Sequence, residues 1–224
     1  MIWEQDPNSE RILSMSAISG GPRHITVEGV TRSQRAWARI AGLMYWLVLL
    51  VDLTGLQLHS SLGRWLTFLG SLLTVPLAFG LYYALRPVGQ ALATGGLWFR
   101  LLEAVLGLLS TAAGFAVLES ALAGSSFGRV VLNFVHWNDA TAFGAFVFTV
   151  GSTIFFYLFV KSGYIPRVLS WLGLLASVIA MTACLVHFAR PSFPAMAMYG
   201  WIPMLLAEIS TGSWLLAKSV REPR

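Results

Sequence analysis

Charge is what this chain has least of. Of its 224 residues, 11% are Asp, Glu, Lys or Arg against 56% hydrophobic, and the mean hydropathy is +0.70. Soluble domains carry about a quarter charged residues, so a water-soluble globular fold is excluded. Cysteine is nearly absent as well. The single thiol, Cys184, permits no internal disulfide and no thiolate metal centre. Residues 1–34 hold no apolar run, so no cleavable signal peptide is expected and the first apolar stretch must direct insertion itself. No phosphate loop, dinucleotide fingerprint or serine nucleophile elbow occurs, so neither a nucleotide nor any other cofactor is expected.

What is present is a series of six apolar stretches: Ile40–Leu58, Trp65–Leu85, Leu97–Leu118, Asp139–Val160, Val168–Phe188 and Phe193–Ala217. Each runs to about 20 residues, enough to cross a hydrocarbon core of about 30 Å as a helix. The expected fold is an all-α, polytopic transmembrane bundle of six helices. A flexible tail (1–34) precedes the membrane domain (35–218), and a short tail (219–224) follows it.

The cations are distributed unevenly between these stretches. Arg11, Arg23, Arg32, Arg35, Arg39, Arg86, Arg100, Lys161, Arg167, Lys218, Arg221 and Arg224 fall at one end of the spans, and only Arg64, Arg129 and Arg190 at the other. Such a bias marks the cytoplasmic side, so both termini are expected to be cytoplasmic. The net charge of +5 is then a set of topology anchors beside anionic headgroups and does not imply a nucleic-acid partner. Two prolines, Pro76 and Pro203, fall inside expected spans and would free the carbonyls of Leu72 and Tyr199. In the Lys161–Arg167 connection, Gly163 is placed to adopt the left-handed conformation past a helix end, and Pro166 to start the next helix.

Ionisable groups inside a bilayer are costly, so each needs a reason. Glu208 lies ten residues before Lys218, about 15 Å into its span, and is the leading candidate for a functional group. Asp52 lies thirteen residues beyond Arg39, about 20 Å along the first span, with Thr54 and Gln57 continuing the polar character. Arg100 and Glu103, three apart, are spaced for an intrahelical pair at the cytoplasmic boundary of the third span; the alternative turns Glu103 inward toward Glu208. Trp37, Trp65, Trp98, Trp137 and Trp171 fall near span ends and suit interfacial belts. Tyr45, Trp46, Trp201 and Trp214 do not, and are candidates to line an apolar cavity, with core packing as the plainer use. His59, Glu119, His136, Asp139 and His187 gather on the outer side. They include no His-x-x-x-His pair and no cysteine, so no metal is expected there.

A family resemblance rests on three motifs and on the last span, where Glu208-Ile-Ser and Trp214-Leu-Leu-Ala-Lys218 also fit. The motifs are Arg39-Ile-Ala-Gly-Leu-Met-Tyr45, Phe99-Arg-Leu-Leu-Glu103 and, most specifically, Ser162-Gly-Tyr-Ile-Pro-Arg-Val-Leu169. Over about Arg35–Lys218 the chain resembles a bacterial integral-membrane family known only as a domain of unknown function, number 4386. The resemblance implies six helices and a bacterial plasma membrane, and it brings no activity.

Three functions are compatible with these residues. The favoured one is binding or translocation of a small apolar or amphipathic molecule, with Glu208, Glu103 and Asp52 as internal polar groups and Trp201, Tyr45, Trp46 and Arg100 as ligand contacts. The loose correspondence of Trp98…Glu103 with Trp201…Glu208, in two halves of three spans each, favours it. The second is an intramembrane enzyme using a buried carboxylic acid on a lipid or isoprenoid, in the manner of terpene cyclases whose motifs are absent here. The third is a non-catalytic membrane partner or regulator. Expected partners are the lipid bilayer and an apolar small molecule, with a homo-oligomer left open.

Overall fold

The computed structural model describes residues 30–58, 60–113, 120, 122–135, 140–190 and 200–222. Among them are seven helices and no strand: α1 (Arg32–Gln57), α2 (Ser61–Leu85), α3 (Gln90–Ala113), α4 (Ser126–Val135), α5 (Ala140–Ser162), α6 (Arg167–Ala189) and α7 (Trp201–Lys218). Hydroxyls satisfy the first orphan amides. Thr31 Oγ1 accepts from the Gln34 amide at 3.1 Å, and Ser125 Oγ from that of Gly128 at 2.8 Å. Five helices, α1, α2, α3, α5 and α6, are long and apolar enough to cross a membrane. The last, α7, has 18 residues including Glu208 and Lys218, and does not join that group. The stretch expected to begin its span, 193–199, lies outside the described residues.

The six long helices form a closed ring. Each packs on its neighbour in the order α1, α2, α3, α5, α6, α7, and α7 returns to pack on α1. Closure requires backbone contact, because a Cβ on Gly42 would lie 2.8 Å from Gly212 O and 2.9 Å from Leu215 C. The α5–α6 seam uses a glycine to admit a side chain instead, with the Phe156 ring seated where a Gly173 side chain would stand. Leu50, Leu53, Leu102, Leu175 and Leu206 point outward and exposed, as lipid-facing side chains do.

The two ends of the ring are packed differently. Toward the C-terminus of α2, Leu81, Leu85, Phe155, Phe156, Phe159, Tyr164 and Ile165 fill the interior. That end is also strapped from outside by residues 219–222. Arg221 donates to Tyr164 O (3.0 Å) through its amide and to Gly163 O and Ile165 O (3.3 Å each) through its guanidinium, while Ser219 Oγ donates to Arg35 O at 2.9 Å. Gly163 has φ +64°, the left-handed value its place past a helix end requires.

Two expectations about helix limits need correction. The third span begins at Gln90, seven residues before Leu97, and so Arg100 does not sit at the boundary. It lies about 15 Å into its helix and is 2% exposed. Arg100 therefore leaves the set of cytoplasmic anchors. Pro203 is the third residue of α7, inside the first turn, where its missing amide hydrogen is one the helix could not have used. Tyr199, whose carbonyl it was expected to free, lies outside the described residues. Pro76 does lie inside α2.

Candidate functional site

The end of the ring opposite the packed plug holds a cavity of about 550 Å³. Five helices line it, and each contributes one face. From α1 come Tyr45, Val48, Asp52 and Leu56, at helical spacing down a single stripe. From α2 come Thr67, Ser71 and Thr74; from α3, Arg100, Glu103, Gly107 and Thr111; from α5, Phe148; from α7, Trp201 and Glu208. A second space of about 480 Å³, lined by Gly55, Ser60, Gly63 and Arg64, shares Leu56, Thr67 and Thr111 with the first. The cavity thus continues toward the α1–α2 connection.

Arg100 is the centre of the site. Its Nη1 lies 2.9 Å from Glu103 Oε2, and its guanidinium carbon stands 4.6 Å above the centre of the Phe148 ring. Gly151 on α5 leaves room for its stem, since a Cβ there would come within 3.2 Å of Arg100 Cγ. The ion pair is close but badly angled. Arg100 Nε and Nη1 and Glu103 Oε2 are buried without a hydrogen-bond partner. Asp52 Oδ1 is in the same condition, with its carboxyl lying over Gly70, in the space any side chain there would occupy. Glu208 faces the cavity half-buried.

The hydroxyls of the site behave differently. Ser71 and Thr74 on α2 donate to the carbonyls four residues back, Thr67 O and Gly70 O, at 3.2 Å each, and Thr111 donates to Gly107 O at 2.8 Å. Back-bonding of this kind satisfies the donor and lets a hydroxyl sit in an apolar helix. It leaves the oxygen lone pairs turned outward, so the α2 stripe offers acceptors to whatever fills the space. Aromatic walls complete the site: the Trp201 and Phe148 rings are 5.6 Å apart, and Tyr45 is 3% exposed.

The structure thus places six of the seven candidate residues, Tyr45, Asp52, Arg100, Glu103, Trp201 and Glu208, on one cavity. Trp46 is not on its lining; it is half-exposed on α1, one residue and about 100° around the helix from Tyr45. Trp98, matched to Trp201 in the two-halves comparison, is 67% exposed on the outside of the ring, so only the carboxyl part of that correspondence survives. Of the outer group, His59, Glu119, His136 and Asp139 lie outside the described residues. Sequence reasoning missed Phe148 and the α2 stripe. The spacing Thr67, Ser71, Thr74 on one face of an otherwise apolar helix was the available signal for the stripe.

No curated protein and no solved structure matches the chain. One family model does, over residues 49–219; it spans Asp52, Arg100, Glu103, Phe148, Trp201 and Glu208 and begins after the Arg39–Tyr45 motif. The chain belongs to the family described as a domain of unknown function, DUF4386.

Proposed function

We propose that the chain crosses a bacterial plasma membrane six times, with both ends in the cytoplasm, and that its central cavity binds or translocates a small amphipathic molecule. The ring supports six crossings. It closes through α7, which runs about 27 Å at 1.5 Å per residue, close to the thickness of a hydrocarbon core. With Arg100 removed from the anchors, the cation bias is still eleven against three and supports the orientation.

One observation carries the binding reading. Asp52 Oδ1 and Arg100 Nε, buried without hydrogen-bond partners, stand beside the buried Arg100–Glu103 ion pair on a shared space of about 550 Å³. Each such atom left bare costs about 1–3 kcal/mol, so a sequence that had only to pack a bundle would place apolar residues there. A molecule with an apolar body and a polar head satisfies both the aromatic wall and these atoms.

The test is to extract the full chain with its surrounding lipid, without detergent, and identify by mass spectrometry the small molecules that come with it. One amphipathic species near one per chain, lost in the Asp52→Asn/Glu208→Gln variant, is the expected result. Bulk phospholipid alone, identical for both proteins, would overturn the reading and leave a non-catalytic partner in its place.

A further inference from the structure

Among the described residues the lining of the cavity holds three carboxyl groups, Asp52, Glu103 and Glu208, and one cation, Arg100, with Arg64 on the space that continues it. Arg100 is already engaged by Glu103 at 2.9 Å and by the Phe148 ring. Among the described residues the ion pairs are Arg100–Glu103 and the exposed Arg35–Glu222, so neither Asp52 nor Glu208 has a cation within 4.0 Å. Resting on the reading of this cavity as a binding site, we propose that its ligand is an organic cation: an amine or quaternary ammonium on an aromatic or aliphatic body.

Four features converge on that chemistry. Two carboxyl groups with no cation within 4.0 Å face one space, and a third is paired with Arg100. The walls are aromatic, and indole and phenyl faces attract a desolvated cation. The Ser71 and Thr74 hydroxyls donate to the α2 backbone and turn oxygen lone pairs to the cavity, which the N–H of an amine or the polarised methyl groups of a quaternary ammonium can approach. Arg100 is 2% exposed and bordered by Glu103, so it balances a neighbouring charge more than it advertises its own. An inorganic ion fits less well. Among the described residues no three His, Cys, Asp or Glu side chains lie close enough to share a metal, and a space of about 550 Å³ is far wider than an ion shell of roughly 2.0–2.6 Å. The unpartnered Nε of Arg100 defines the opposite outcome, in which an anion wins.

Three probes of one shape separate these outcomes: phenyltrimethylammonium, its neutral isostere tert-butylbenzene, and the anion benzenesulfonate. Binding to the full chain in phosphatidylcholine nanodiscs is measured by calorimetry, with empty discs subtracted. The cation should bind about tenfold or more tightly than either of the others. The Asp52→Asn/Glu208→Gln variant should lose that preference while keeping its helical circular dichroism and its affinity for tert-butylbenzene. Equal binding of cation and neutral isostere, or tighter binding of the sulfonate, overturns the cation inference and leaves the cavity reading standing. Failure of all three probes on folded protein overturns the cation inference too, and with no co-purifying molecule it removes the cavity reading as well.

Discussion

The Arg100–Glu103 pair allows a quantitative test of how the site is held together. Replacing Arg100 by Met keeps most of the stem that threads past Gly151 and deletes the charge. Among the described residues the lining of the cavity of about 550 Å³ then holds three carboxyl groups and no cation. Breaking a buried pair from one side costs about 3–5 kcal/mol. Glu103 keeps 22% of its side chain exposed to the cavity, where water screens it, which moves the expected loss to the low end, about 3 kcal/mol in all. Neutralising the stranded partner should restore most of this. Arg100→Met/Glu103→Gln is expected within about 1 kcal/mol of the parent, since a buried pair replaced from both sides is close to neutral. The assay is reversible unfolding in mixed micelles against the mole fraction of SDS, followed by tryptophan fluorescence, for both single variants and the double. A coupling energy of at least about 2 kcal/mol is predicted from the cycle, larger by whatever Glu103→Gln alone costs. Strict additivity, or an Arg100→Met loss under about 1 kcal/mol, would refute the picture of a guanidinium that neutralises the interior.

The same titration tests the ring seam. Gly42→Ala drives a Cβ into the α7 backbone and should cost about 2 kcal/mol, whereas Gly144→Ala, with nothing within 4 Å, should be neutral or stabilise by up to about 1 kcal/mol. At the strapped end, Arg221→Ala removes donors to Gly163 O and Ile165 O and should cost about 1–2 kcal/mol, while Arg35→Ala, which breaks an exposed pair with Glu222, should cost under about 1. For orientation, in a Cys184→Ala background a cysteine at Ser125, exposed before α4, should react with an impermeant thiol reagent on intact cells, and one at Ser162 should not. The reverse pattern would invert the proposed topology.

Five of the six expected spans were legible because hydrophobicity is a local property of a run of residues, and Gly163 because a helix end followed by Gly and then Pro has few other conformations. The start of α3 was not. Gln90-Ala-Leu-Ala-Thr-Gly-Gly96 holds two glycines and two polar side chains, and it reads as a connection by composition. In the fold it supplies the first two turns of the helix, with Ala93 fully buried, and those turns carry Arg100 from the boundary to the interior. Tertiary contact overrode local propensity there. The choice between Tyr45 and Trp46 was equally beyond a linear reading. Adjacent residues on a helix point about 100° apart, and only the position of α7 decides which one turns inward.

The convergence of the polar groups has the same origin. Each stripe alone has an innocent explanation: Thr67, Ser71 and Thr74 as hydroxyls bonded to their own helix, Arg100 and Glu103 as an i,i+3 pair, Asp52 as the frayed end of a span. They become one site because α1 is held in backbone contact with α7 at Gly42 and Gly212, which brings Asp52 and Tyr45 across the ring from Arg100 and beside Glu208. The Phe155–Phe159 plug and the Arg221 strap stiffen the other end of the bundle. A ring packed solid at one end and hollow at the other has one direction in which its interior can widen, toward the α1–α2 connection, where the second space already joins the first. Any movement of a ligand between cavity and surface should therefore be governed by Gly55 and Gly63, whose close approach holds α1 and α2 together at that mouth, and hardly at all by the strapped end.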